Sequence, residues 1–98
     1  MTSKLTAGMK KRIKREYSAE KPTVWIGKGR ISEEIVKEIE KQLKYREIVK
    51  VKVLRAALKE IRTADIAAEI SRRTKAELVE VRGHTFILYK RRGKTAEK

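Results

Sequence analysis

The apolar residues near the centre of the chain change their spacing from four residues to two. Residues 35–43 place an apolar side chain at every fourth position, and residues 49–53 place a valine at every second position. The first spacing is typical of an amphipathic helix, and the second is typical of a strand with one buried face. A helix followed at once by such a strand favours folds in which helices pack on a sheet.

The other elements are predicted from the same periodicities together with capping and turn residues. They are a helix after Thr6, a short strand over residues 23–26, a helix over 59–73 and strands over 78–82 and 85–90. Gly83 and His84 form a two-residue hairpin turn between the last two strands. The order α-β-α-β-α-β-β predicts an α/β fold, with one mixed four-stranded sheet and packed helices. Residues 1–98 are expected to form a single compact domain, with a basic tail from about residue 91.

The chain is strongly basic, and the positive charge is concentrated at its two ends. It holds 27 Lys and Arg against 13 Asp and Glu, for a net charge of +14. Residues 1–21 contain seven cations and two glutamates, and residues 89–98 contain five cations and one glutamate. A polyanionic partner is therefore expected. The last eight residues, which include Arg91 and Arg92, are as compatible with a solvated tail as with a binding segment.

Composition speaks against an enzyme, a cofactor, a metal site and a small-molecule substrate. The chain has no cysteine, one histidine and one aspartate. His84 falls in the predicted hairpin turn, where a structural role is favoured over catalysis. The apolar runs are shorter than the roughly 18 residues that a membrane-spanning helix needs, and a secretory signal pattern is lacking. We expect a monomer in the cytoplasm without a membrane partner.

Residues 24–35, VWIGKGRISEEI, place two glycines and two cations before an expected helix start at Ser32. Glycines let backbone N–H groups approach a phosphate closely, and Lys28 and Arg30 would add charged contacts. This is the logic of the Gly-x-x-Gly loop in KH-type RNA-binding domains. The spacing fits neither the phosphate loop of nucleotide hydrolases nor the dinucleotide fingerprint. An ordinary turn on a basic surface remains an alternative.

The first helix carries a narrow apolar stripe surrounded by cations. Leu5, Met9 and Ile13 recur every four residues, so the helix is expected to rest on the domain by this stripe. The cations beside it are Lys10, Lys11, Lys14 and Arg15. Lys50 and Lys52 lie on the polar face of the central strand, where a solvated edge and a binding surface are equally compatible with the pattern.

Five aromatic residues are available to stack on bases. Trp25 and Phe86 lie among apolar neighbours in predicted strands, so packing in the core is favoured for both. Tyr17, Tyr45 and Tyr89 lie at the ends of predicted elements, and the sequence leaves their roles open.

Two long stretches, VWIGKGRISEEIVKEIEKQLKYREIVKVKV and SRRTKAELVEVRGHTFILYKRR, resemble the CRM domain family (chloroplast RNA splicing and ribosome maturation). The likeness is greatest to its small YhbY-like members and covers about residues 5–92. It implies a fold similar to the C-terminal domain of translation initiation factor three. It also implies binding to precursors of the large ribosomal subunit.

The family's Gly-x-x-Gly loop falls on Gly27, Lys28, Gly29 and Arg30, with Arg30 in place of the second glycine. Lys75 stands where the family tends to have glycine after the third helix, so this turn is expected to differ.

The combined prediction is an RNA-binding protein that acts on structured ribosomal RNA in ribosome assembly. The residues expected to contact RNA lie in the loop, on the first helix and after the last strand: Gly27, Lys28, Gly29, Arg30, Lys10, Lys11, Lys14, Arg15, Arg91 and Arg92. Two alternatives stay open, namely a DNA-binding or chromatin-associated protein and a module that docks on an acidic protein.

Overall fold

The computed structural model describes residues 6–17, 19–27, 31–54 and 62–90. Within them the chain forms three helices and four strands in the predicted order: α1 (Ala7–Tyr17), β1 (Val24–Ile26), α2 (Glu33–Arg46), β2 (Ile48–Val53), α3 (Thr63–Thr74), β3 (Glu77–Arg82) and β4 (Thr85–Tyr89). The α/β class and the mixed four-stranded sheet are both confirmed. The structure describes the third helix from Thr63, and residues 59–61 of the prediction lie outside the described residues.

The strands form one sheet in the order β1-β2-β4-β3. β1 runs parallel to β2, with α2 as the connection, and the other two pairings are antiparallel. The β3–β4 connection is the predicted two-residue turn. Gly83 has a φ of +58°, whereas His84 is not among the residues with positive φ. Glycine at the first turn position supplies the conformation that a tight hairpin requires.

The two faces of the sheet are covered by different helices. On one face, α2 and α3 pack over the main core, and we call this the α2–α3 face. Its buried strand residues are Val24, Ile26, Val49, Val51, Val53, Phe86 and Leu88. On the opposite face, Ile13 of α1 packs with Val79, Ile87 and Tyr89. This second face is called the α1 face below. Burial of Phe86 agrees with the prediction from sequence.

Helix α2 matches its sequence pattern closely. The Ser32 Oγ accepts a hydrogen bond from the Ile35 backbone N–H at 3.2 Å, which is the expected N-cap. Ile39 and Leu43 are buried, as their four-residue spacing predicts. The helix is also joined to the chain entering β1, because the Thr23 hydroxyl donates to Gln42 Oε1 at 2.6 Å.

Helix α3 ends in a left-handed residue although that residue is not glycine. Lys75 has φ 60° and ψ 31°, and its N–H donates to the Ser71 carbonyl. The Ala76 N–H also donates to Ser71 O at 3.1 Å, which is the six-residue bond of a Schellman ending. The turn therefore keeps the geometry that glycine would give. The expectation that Lys75 would change this turn is wrong, since the capping bonds hold lysine in the left-handed region.

Candidate nucleic-acid interface

Helix α1 begins where its capping residue predicts. The Thr6 Oγ1 accepts a hydrogen bond from the Met9 N–H at 3.1 Å. Because successive residues turn by about 100°, the four predicted cations of α1 fall within an arc of roughly 140°. Lys10 is half-buried, and Lys11, Lys14 and Arg15 are exposed. The helix thus presents the four predicted cations on one side.

The opposite side of α1 fixes the helix to the sheet. Ile13 is 5% exposed and packs on β3 and β4, and Tyr17 packs against the same apolar cluster. Met9 is 38% exposed, so it contributes less to this contact. Leu5, the third residue of the predicted stripe, lies outside the described residues. One buried isoleucine is therefore the main anchor of the described stripe.

Lys50 holds the carboxyl end of α1 against β2. Its Nζ donates to the Tyr17 carbonyl at 3.0 Å and to the Glu20 carbonyl at 2.9 Å. A cation at the carboxyl end of a helix also interacts favourably with the helix dipole. Lys52, two residues further along, is exposed. The sequence left the roles of both lysines open. In the structure Lys50 holds the end of α1, and Lys52 faces solvent.

The predicted loop begins at Gly27, which follows β1 at the edge of the sheet opposite to β3. Gly27 does not have a positive φ, and among the described residues a Cβ at this position would meet only Leu54 Cδ1, at 3.8 Å. The described backbone therefore gives no steric reason for glycine here. Lys28, Gly29 and Arg30 lie outside the described residues. After the loop, the Ser32 cap satisfies one of the exposed N–H groups of α2.

The chain after β4 is described only as far as Lys90. The Lys90 N–H donates to the Glu47 carbonyl at 2.9 Å, and its Nζ donates to the Thr74 carbonyl at 3.0 Å. These bonds hold Lys90, the last described residue, beside the sheet. Arg91 and Arg92, both predicted to contact RNA, lie outside the described residues.

The predicted site residues that the structure describes therefore do not form one cluster. Helix α1, which carries four of them, packs on β3 and β4 through Ile13, while Gly27 follows β1 at the other edge of the sheet. The open part of the α1 face lies between them.

Trp25 corrects the sequence prediction, because it is 53% exposed instead of packed in the core. Val24 and Ile26 on either side of it are buried against α2 and α3, so alternation turns Trp25 to the α1 face. The run Val-Trp-Ile is apolar throughout and therefore predicts a strand that is buried on both faces. Three residues on an edge strand are too few to reveal the alternation from the sequence alone.

Two classes of site find no support in the part of the chain that the structure describes. Its His, Asp and Glu side chains form no group of three that could hold a metal ion. None of the described helices has the length and apolar character needed to cross a bilayer.

Comparison with known proteins gives one consistent family. The family model described as CRS1 / YhbY (CRM) domain matches residues 5–90. The chain is 39% identical over 89 residues to "Probable RNA-binding protein MJ0652" of Methanocaldococcus jannaschii, covering 91% of this chain and 66% of that protein. It is 29% identical to "Probable RNA-binding protein YqeI" of Bacillus subtilis, covering 88% of both chains.

A solved structure supports the same assignment. The fold is similar to the solution structure of the hypothetical protein SAV1595 from Staphylococcus aureus, which is described as a candidate RNA-binding protein. The TM-score is 0.76 at 31% identity, and 96% of each chain is covered.

Proposed function

The chain belongs to the CRS1/YhbY (CRM) domain family, and from that premise we propose that it binds RNA. The proposed ligand is structured ribosomal RNA in a precursor of the large subunit, and the proposed setting is the cytoplasm. The observation that carries the RNA contact is the set of four cations that α1 holds on one side, with Ile13 fixing the other side to the sheet. The relatives' names support RNA as the partner. The family resemblance supports the ribosomal ligand.

In this proposal the protein acts as a binding module without catalysis, and as a monomer. The α1 cations contact phosphates and release counterions, so the affinity falls steeply as salt rises. The loop from Gly27 to Arg30 and the tail residues Arg91 and Arg92 extend the contact to other parts of the RNA. Because phosphate contacts carry no base identity, we expect modest sequence preference.

The experiment compares two double variants with the same change in charge. Lys11→Ala/Lys14→Ala removes two exposed cations of α1, and Lys37→Ala/Lys41→Ala removes two exposed cations of α2. Binding to a fragment of large-subunit ribosomal RNA is measured over a range of salt concentrations. The α1 variant should bind roughly tenfold more weakly. Its slope against log salt should fall by about 0.7–0.9 for each lost contact. The α2 variant should stay near wild type.

Equal weakening in both variants would show that only total charge matters and would refute a specific α1 contact.

The loop is tested in the same assay with Lys28→Ala/Arg30→Ala, which should also weaken binding. Competition between duplex DNA and RNA tests the main alternative, a DNA-binding protein. A clear preference for DNA would overturn the choice of RNA. Cellular complexes that survive nuclease treatment would instead favour an acidic protein partner.

A further inference from the structure

Four residues form a continuous row across all four strands of the sheet. Trp25 pairs with Lys52 in the register of β1 and β2, and Lys52 pairs with Thr85 in that of β2 and β4. Thr85 in turn pairs with Arg82 across the hairpin. Three strand spacings of about 4.8 Å make this row roughly 14 Å long between its end Cα atoms. We call these four residues the transverse row.

The transverse row lies on the α1 face. Directly paired residues share a face, and neighbours along a strand alternate between faces. The neighbours of the row residues that are buried against α2 and α3 are Val24, Ile26, Val51, Val53 and Phe86. The row therefore points to the side of the sheet that α1 covers only in part.

Arg82 belongs to this row because β3 contains a bulge. Leu78 pairs with Leu88 on the α2–α3 face, and Glu80 then pairs with Ile87 on the α1 face. Val79 is the extra residue, and it shifts every later side chain of β3 to the opposite face. Without the bulge, Arg82 would share the face of Leu78. The bulge thus places a guanidinium beside Thr85 on the open part of the sheet.

The transverse row is exposed along most of its length. Trp25 is 53% exposed, the Arg82 side chain is 70% exposed, and Lys52 is exposed as well. Thr85 is half-buried, and its hydroxyl donates to the Arg82 carbonyl at 2.9 Å. The acid beside the row is Glu80, whose Oε2 lies 3.8 Å from Arg82 Nε. The Arg82 partner of this ion pair is exposed, and at this length the pair holds the guanidinium only weakly.

An indole face and two cations along one line match the chemistry of an unpaired nucleic-acid strand. A base stacks on an aromatic ring whatever its identity, and phosphates bind lysine and arginine. A carboxylate-rich protein segment would use the two cations but would have no comparable use for the indole. Charge complementarity and the exposed ring together favour a single-stranded segment as the occupant.

Building on the proposed RNA-binding function, we propose that the transverse row is a second RNA contact, which binds an unpaired segment. One base stacks on Trp25 at one end of the row, and two phosphates further along the same strand contact Lys52 and then Arg82, in the order that the row gives. The row crosses the face on which α1 packs and ends at Trp25, two residues before Gly27. A structured RNA with an unpaired strand beside a helical part would contact α1 and the row together.

Trp25 provides its own signal, because it is the only tryptophan in the chain. The wild-type protein is titrated with single-stranded oligouridine and with an RNA duplex of the same length, and tryptophan fluorescence is recorded. Oligouridine should quench the fluorescence strongly, because the base stacks on the indole. The duplex should leave it nearly unchanged, since its bases are not available for stacking.

Variants then measure the contribution of each side chain through the anisotropy of a labelled oligouridine. Trp25→Ala should lower the affinity by roughly 5- to 150-fold. Trp25→Phe keeps an aromatic face and should retain most of the binding. Tyr45→Ala, which removes a 70% exposed aromatic residue from α2, is the matched control. Lys52→Ala should weaken binding several-fold. Lys41→Ala on α2 is its control and should leave the affinity nearly unchanged.

The outcomes separate this proposal from the function it rests on. If oligouridine binds with unchanged fluorescence, or if Trp25→Ala binds as wild type, the transverse row is not the contact. The α1 variant Lys11→Ala/Lys14→Ala can still weaken binding of ribosomal RNA in that case, and the proposed function then stands. If the wild-type protein binds neither RNA, both proposals fail.

Discussion

Lys75 shows how a single residue can keep a backbone conformation that it does not favour. The left-handed region costs a non-glycine residue roughly 1–2 kcal/mol, because its Cβ crowds the backbone. Lys75 is held there by capping bonds to Ser71 and by the start of β3 two residues later. The strained backbone of Lys75 therefore lowers the stability of the α3 ending.

Replacing Lys75 by glycine should stabilise the protein. Relief of the strain outweighs the extra freedom that glycine gives the unfolded chain, so we expect a gain of about 0.5–1 kcal/mol in the free energy of unfolding. Urea denaturation measures the change. The control is Lys41→Gly, at an exposed position inside α2, which should cost about 1 kcal/mol. Destabilisation by both substitutions would show that Lys75 is not strained.

The carboxylate of Glu69 on α3 sits between two guanidinium groups. Arg72 Nη2 and Arg73 Nε donate to Glu69 Oε2 at 2.6 and 2.7 Å. These hydrogen bonds, the one from Arg72 first, hold the pKa of Glu69 below its ordinary value of 4.5. A folded-state pKa below the unfolded one gives stability above the unfolded value, which is lost as the pH falls through the folded pKa. All three side chains reach solvent, so this contribution to stability is small.

The prediction for Glu69 concerns its titration. Arg72→Gln should raise the pKa of Glu69 towards 4.5, and Arg73→Gln should do the same to a smaller extent. Titration of the Glu69 carboxyl carbon by NMR between pH 2 and 7, a range chosen to span the ordinary value, follows both shifts. Arg46→Gln on α2 is the control. An unchanged Glu69 pKa in the Arg72 variant would show that the ion pair does not persist in solution.

Among the elements, α1 depends most on partners that its own sequence does not contain. Its described apolar contact with the sheet is mainly that of Ile13, and its carboxyl end is held by Lys50 of β2. The helix is only 11 residues long, and isolated helices of this length are marginal in water. Its position, and with it the position of its cations, therefore depends on these few contacts.

Removing the Lys50 ammonium should loosen α1 while leaving the sheet intact. Lys50→Met keeps the length of the side chain but loses both bonds to the Tyr17 and Glu20 carbonyls. We expect a loss of about 1–2 kcal/mol in the free energy of unfolding, near the lower end for charged hydrogen bonds because the site is partly exposed. Compared with wild type, amide exchange should become faster in residues 10–17 and stay nearly unchanged in β2 and β4.

The neighbouring lysine gives the control for this experiment. Lys52→Met makes the same substitution on the same face of β2 at an exposed position, and it should change stability by less than about 0.5 kcal/mol. Equal losses in the two variants would mean that the bonds from Lys50 do not hold α1.

For the whole molecule, placing helices on opposite faces of the sheet separates the main core from the face that we propose binds RNA. The α2–α3 face holds most of the core, and its strand residues are almost fully buried. On the α1 face, the described part of α1 packs around Ile13 and Tyr17, while Trp25 and Lys52 at the other end are exposed. Substitutions at Trp25 or Lys52 should therefore test the proposed RNA contact at little cost to the fold.

The order of helices and strands could be predicted from the sequence alone, because the signals for each element are local. Apolar spacing identified α2 and β2, side-chain oxygens at Thr6 and Ser32 marked two helix starts, and Gly83 marked the hairpin turn. The family likeness came from the same local stretches. The basic charge, which pointed to a polyanionic partner, is likewise a property of composition alone.

The tertiary structure decided which side chains are available for binding, because exposure depends on register and on neighbouring elements. Trp25 is exposed since its strand packs its two neighbours against α2 and α3. Arg82 joins the same face since a bulge in β3 reverses the alternation. Lys50 is engaged since the end of α1 lies above it. None of these relations is local in the chain, so apolar spacing and composition could not reveal them.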